Sequence, residues 1–183
     1  PAGTETGRSA VSIFTSLLLS FGVSDAVVCP GSRNGALVHN LCCCQPQLSV
    51  WPVTDERSAG FVALGIALRT GRTTVVCVTS GSALLNVLPA VAEAYYQHVP
   101  LLVVSADRPE MLLGQLDGQT LPQVGALQPY TPTIQLPELR SEADAWHCNR
   151  LMNEALLSTR RHGGRPVHVN IPFTPPLFRF EEE

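Results

Sequence analysis

Two short runs constrain the fold of this chain more than anything else in it: residues 73–79, Thr-Thr-Val-Val-Cys-Val-Thr, and residues 100–105, Pro-Leu-Leu-Val-Val-Ser. Neither alternates apolar with polar residues, as a strand with one wet face must. A strand without that alternation is covered on both faces, and the architecture that covers both is a parallel sheet between layers of helices. The flanking sequence supplies the rest. Helical patterns mark 9–21, stopped by Gly22, then 34–44, 57–69 closed by Gly71, 82–97 and 141–161. Further strands are expected at 26–29, 48–53 and 166–171. Strand and helix in alternation predict an α/β fold, an open parallel sheet with helices on both faces. No internal repeat is visible. Residues 107–135, which hold Pro109, Pro122, Pro129 and Pro132, break the pattern and read as an irregular, mobile excursion with at most a short helix.

A length of 183 residues suits one domain with a substantial core. The domain is expected over 8–177, after a polar stretch at 1–7 that is disordered or foreign to it, and before the beginning of a linker at 178–183. Hydrophobic residues make up 45% of the chain and charged residues 15%, which excludes a disordered protein. A net charge of −3 leaves no electrostatic footprint for nucleic acid. No apolar run is long enough to span a membrane. Residues 1–7 lack the basic-then-apolar pattern of a secretion signal, so a cytoplasmic protein is expected. The six cysteines are Cys29, Cys42, Cys43, Cys44, Cys77 and Cys148. They have no metal-ligand spacing, and three in a row cannot build an ordinary disulfide framework. They read as buried free thiols of a reducing compartment. The histidines show no ligand spacing either, and Trp51 and Trp146 read as packing.

In an open parallel sheet, ligands bind at the carboxyl ends of the strands. Four loops at those ends carry chemistry. Cys29-Pro30-Gly31-Ser32-Arg33 forces a turn and then presents a hydroxyl and a guanidinium at a helix start: an anion site, or an N-cap with a solvated arginine. It has neither Walker nor dinucleotide-loop spacing. Asp55-Glu56-Arg57-Ser58-Ala59-Gly60 puts Asp55 at an N-cap and Glu56 in the first turn, and its small residues leave room for a partner surface. Thr79-Ser80-Gly81-Ser82 is a hydroxyl-rich turn into a helix, readable as capping alone. Asn86 lies farther along that helix and needs a partner if buried. Ala106-Asp107-Arg108-Pro109 holds Arg108 toward the same cleft as Arg33, with Asp107 as its expected partner. Gln119 lies on the excursion, where it could close over a ligand. Two arginines at one cleft point to a phosphate or a di- or tricarboxylate.

The five segments in this order resemble the amino-terminal, pyrimidine-binding domain of thiamine diphosphate enzymes, over about 11–177. Among these the set is most similar to the menaquinone-pathway synthases that decarboxylate 2-oxoglutarate and add the product carbanion to isochorismate. The resemblance implies a glutamate, matched here by Glu56, that hydrogen-bonds the cofactor's aminopyrimidine and promotes loss of the thiazolium proton. It also assigns Thr79, Ser80, Gly81 and Asn86 to the cofactor, and Ser32, Arg33, Arg108 and Gln119 to isochorismate or its adduct. It implies Mg2+ and diphosphate held by a further domain, with no metal ligand in these residues, and a homo-oligomer with the cofactor between subunits. By this resemblance the chain is the first third of such an enzyme and inactive alone. Asn34-Gly35-Ala36-Leu37 departs from the family's hydroxyl residue and Pro-Leu, and Gly118 stands where an Asn precedes the glutamine. Both departures touch substrate contacts rather than the class. Two other readings remain: a carboligase of the acetolactate synthase type acting on pyruvate, and a non-catalytic module that binds a partner or a small anion.

Overall fold

A computed structural model describes residues 5–175 and 177, with side chains from residue 10 onward. Of the flanking stretches expected from the sequence, 1–4 and 178–183 lie outside the described residues, while residues 5–7 are the start of the first helix.

The elements alternate as expected: α1 (Glu5–Ser20), β1 (Asp25–Val28), α2 (Gly35–Cys43), β2 (Ser49–Pro52), α3 (Glu56–Thr70), β3 (Thr74–Val78), α4 (Ser82–Asn86), α5 (Leu88–Tyr96), β4 (Leu101–Asp107), β5 (Thr133–Gln135), α6 (Glu142–Thr159) and β6 (Val167–Pro172). Among the described residues six strands form one sheet in the order β2-β1-β3-β4-β6-β5, and every pairing is parallel. Because successive side chains of a strand point to opposite faces, the unbroken apolar runs feed two cores. Val75 and Cys77 join Phe14 and Leu18 of α1, Leu37 and Leu41 of α2 and Met152 and Leu156 of α6. Val76 and Val78 join Ala63 and Leu64 of α3, Leu84 of α4 and Val91 of α5. Every residue of β3 and β4 is buried. Each large apolar side chain so removed from water contributes roughly 1.5–3 kcal/mol.

Two elements differ from the sequence expectation. The single helix over 82–97 is two, α4 and α5, meeting at Val87, because Pro89 stands in the first turn of the second. Proline has no N–H for the carbonyl four residues back and its ring crowds that carbonyl, so the helix restarts there. The excursion is not irregular throughout: Thr133–Gln135 is the edge strand β5, paired with β6. Leu127 and Thr131, on its way, are buried.

Of the small residues 58–60, Ala59 and Gly60 serve a different purpose from the one expected, while Ser58 is exposed. Ala59 and Gly60 are buried, and a Cβ on Gly60 would lie 2.9 Å from that of Ala90. They let α3 approach α5 within this chain rather than a partner. Trp51 and Trp146 are not core residues; they are 49% and 69% exposed, and the Trp51 indole donates to Asp25. Cys29, Cys77 and Cys148 are buried, whereas Cys42 and Cys43 are exposed at the end of α2, and all six thiols are free.

Candidate functional site

The register aligns the carboxyl ends of the strands. Val28 stands beside Pro52 and Cys77, Val78 beside Ser105, and Asp107 beside Pro172. β1 and β3 are neighbours in the sheet, but their following loops lead to helices on opposite faces, which opens a crevice between them. The two turns touch there: a Cβ on Gly31 would stand 2.5 Å from the Thr79 Cβ. Only glycine fits this approach. Beneath it, the fully buried Asn34 donates to the Cys29 carbonyl (2.8 Å), and its Oδ1 has no partner among the described residues.

Arg33 and Arg108 come together as expected. The Arg33 guanidinium donates to the Phe173 carbonyl (2.9 Å). Burial lowers its pKa, the nearby Arg108 lowers it further, and Asp117 and Asp107 work against both. Arg108 Nη1 donates to Ser80 Oγ (3.0 Å) and to the Gln119 carbonyl (2.9 Å). Its Nε donates not to Asp107 but to Asp117 Oδ2 (2.5 Å), which corrects the partner expected from the sequence. Asp107 is 4% exposed and instead accepts from the Arg108 main chain and from Asn170 Nδ2, both at 2.7 Å. Burial raises its carboxyl pKa against those two hydrogen bonds.

The remaining residues separate into two groups. Thr79 and Ser80 are buried in the β3 turn, and Gln119 lies across it, its carbonyl accepting from Ser80 Oγ (3.3 Å). Gly81, at φ 79°, has no room for a Cβ, which would meet the Gln119 carbonyl oxygen at 2.6 Å. Ser32 is exposed in the β1 loop. Asn86 is exposed at the end of α4 rather than buried inside a long helix, so it needs no partner within the fold. On the other side of the crevice Asp55 caps α3, accepting from the Ser58 N–H (2.8 Å) and hydroxyl (2.6 Å), and the hydroxyl bond above all holds its carboxyl below the usual range. Glu56, first in α3, is half-buried and has no hydrogen-bond or ion-pair partner among the described residues. It lies near the end of β1: burial pushes the Cys29 thiol up to about 12, and Glu56 is the next largest cause.

A buried polar chain under these loops was not anticipated. Gln123 Oε1 accepts the Gly81 N–H (2.7 Å), and its Nε2 donates to Asn170 Oδ1 (2.7 Å), Ser105 Oγ (3.2 Å) and the Ala106 carbonyl (3.2 Å). The donors set the direction of the rest. The Gly125 N–H is given to Thr133 Oγ1, whose hydroxyl meets His168 Nδ1 (2.9 Å), while His168 Nε2 meets Ser105 Oγ (2.8 Å). Since Ser105 gives its own proton to Asn170 Oδ1 (2.6 Å), His168 donates from Nε2. Burial lowers its pKa to about 3, so the ring is a neutral imidazole and Nδ1 is the acceptor. Among the described residues no group of three His, Cys, Asp or Glu side chains could hold a metal ion, and no helix is long and apolar enough to cross a membrane.

A family model described as thiamine pyrophosphate enzyme, N-terminal TPP binding domain, matches residues 8–129. The chain is 54% identical over 168 residues to the 2-succinyl-5-enolpyruvyl-6-hydroxy-3-cyclohexene-1-carboxylate synthase of Bacteroides thetaiotaomicron, covering 91% of this chain and 30% of that protein. The synthase of the same name from Phocaeicola vulgatus is 54% identical over 165 residues, 90% of this chain and 29% of the relative. That of Porphyromonas gingivalis is 39% identical over 173 residues, 93% and 30%. The chain thus spans about 30% of the length of the curated relatives it matches.

Proposed function

The chain belongs to the thiamine pyrophosphate enzyme family, whose N-terminal TPP binding domain it carries, and from that premise we propose that it is the pyrimidine-binding part of a synthase joining 2-oxoglutarate to isochorismate. The observation that carries the cofactor reading is Glu56: a half-buried carboxylate at a strand-to-helix junction, without a partner among the described residues. A carboxylate placed so is open to a ligand that donates a hydrogen bond to it.

Thiamine diphosphate, when bound, supplies the electron sink for decarboxylating a 2-oxo acid. Glu56 fits a role of sharing a proton with a ring nitrogen of its pyrimidine, and the β3 turn (Thr79, Ser80, Gly81) with Asn86 offers main-chain and hydroxyl groups to the same ring. Arg33, Arg108, Ser32 and Gln119 are proposed to receive isochorismate, a dianion, which the pair of guanidinium groups suits. Mg2+ and the diphosphate are proposed to be held outside these residues. A homo-oligomer is supported by the apolar side chains that the α3–α5 layer exposes, among them Phe61, Leu68, Leu85 and Tyr96. A cytoplasmic location is supported by the six free thiols.

The test is turnover of the full-length protein with thiamine diphosphate, Mg2+, 2-oxoglutarate and isochorismate, beside Glu56→Gln. The expected result is product formation that falls by about 10²–10⁴-fold in the variant. A fully active variant removes Glu56 from the mechanism. CO2 release from pyruvate with no use of isochorismate keeps the cofactor class and overturns the substrate.

A further inference from the structure

Arg108 is already holding a carboxylate. Asp117 has no place in the reading above, yet its Oδ2 accepts from Arg108 Nε at 2.5 Å; the Arg108 side chain is 12% exposed and that of Asp117 48%. Asp117 also acts on Arg33, as the larger of the two carboxylate influences that counter burial and the repulsion of Arg108 there. Two guanidinium groups held close need an anion. The other nearby carboxylate, Asp107, is buried and spent on Asn170 and on the Arg108 main chain. Asp117 faces the pair from the solvent side, where a ligand would arrive.

The segment delivering it is also in an uncommon backbone state. Leu116 (φ 59°) and Gln119 (φ 56°) are both left-handed, a region costly for residues with a Cβ. Leu116 is fully exposed, so burial offsets none of that cost. The segment is held by the Arg108 side chain, bonded to Asp117 through Nε and to the Gln119 carbonyl through Nη1, and by Ser80 Oγ, which donates to the same carbonyl.

We propose that Asp117 is an internal competitor for the anion seat of Arg108, an affinity-setting residue that a ligand carboxylate must displace. Displacement releases the Asp117 end of the strained 116–119 segment, while the Gln119 carbonyl stays on Arg108 Nη1 and Ser80 Oγ. Affinity for an anion in the cleft is then the difference between two carboxylates on one guanidinium, not the gain from an empty one. The proposal rests on the reading of this cleft as the substrate site.

The probe is phthalate, a ring dicarboxylate, titrated into the 183-residue chain while the Arg108 Nε–H resonance is followed by NMR. Asp117→Asn keeps the size and removes the charge, and Glu110→Gln removes an exposed charge of the same loop without touching Arg108. Asp117→Asn should bind phthalate about two- to fivefold more tightly, the range of one partly exposed ion pair, with the Arg108 signal shifted before ligand is added. In the full-length protein the KM for isochorismate should fall in parallel. Unchanged or weaker phthalate binding overturns the proposal, and so does an equal gain in Glu110→Gln, which would make the effect one of net charge. Should the wild-type protein not use isochorismate at all, the function proposed above fails, and the phthalate titration still decides whether Asp117 competes.

Discussion

His168 makes the stability of this fold depend on pH in a way that can be worked from its surroundings. Its ring is fully buried between Thr133 and Ser105, and its pKa is lowered to about 3 from the ordinary 6.5. Between those values the unfolded chain binds a proton at this residue and the folded chain does not. The unfolded state therefore gains on acidification, and the stability associated with His168 is complete above pH 6.5 and lost progressively toward pH 3. The slope is about 1.4 kcal/mol per pH unit, so roughly 2 kcal/mol is gone by pH 5. Asp107 works in the opposite sense. Its raised pKa lets the folded state take up a proton before the unfolded one does, which adds stability as pH falls toward the ordinary carboxylate range. The His168 slope should thus be clean from pH 6.5 to 5 and flattened below. The assay is urea unfolding at half-unit pH steps, in the wild type and in His168→Gln, which keeps one donor and one acceptor but does not titrate. The variant starts less stable at pH 7, so the slope and not the level is read. It should lose about 1.4 kcal/mol per unit of pH dependence between 6.5 and 5. Equal slopes in the two proteins would mean that His168 is not the buried neutral ring described above, and the direction assigned to the Ser105–Asn170 chain would fall with it.

Two glycines give simpler tests. Gly31→Ala places a Cβ 2.5 Å from the Thr79 Cβ and should cost about 1–3 kcal/mol in urea unfolding; the cost should shrink in a Thr79→Gly background, as a double-mutant cycle will show. Gly81→Ala combines a Cβ 2.6 Å from the Gln119 carbonyl oxygen with φ 79° and should cost about 2–4 kcal/mol, with faster proteolysis across 116–123 as the displaced segment opens.

The sheet could be read from the chain because its evidence is redundant. Residues 73–79 and 100–105 are apolar on both alternating faces, and each runs between helical patterns with glycine stops such as Gly71, at φ 66°. What escaped was short. Thr133–Gln135 is three residues long, below the length at which alternation carries information, and it is a strand only because β6 lies beside it. The break at Val87 escaped because Pro89 is equally compatible with the first turn of a new helix and with a kink. At 58–60 smallness states that something comes close, not what; for Gly60 the neighbour is Ala90 of the same chain.

The site divides along the same line. Charged residues at strand ends could be placed from topology alone, which brought Arg33, Arg108 and Glu56 to one edge of the sheet. Gln123, Asn170, Ser105 and His168 carry no local signature. Gln123 meets Asn170 across 47 residues of sequence, and Ser105 meets His168 across 63. Their arrangement gives the cleft two parts of different character. Below, Gly81 and Asp107 are held by amides that are themselves fully bonded and nearly solvent-free, so a change there removes a buried partner and is felt as stability. Above, Arg108 is held by an aspartate that is half in water on a strained segment, where an ion pair is worth little and exchange is cheap. Perturbing His168 or Gln123 should therefore move unfolding first and anion affinity only as a consequence, whereas perturbing Asp117 should move affinity at constant stability. If both classes of variant shifted both quantities together, the floor and the rim of the cleft would be one cooperative unit.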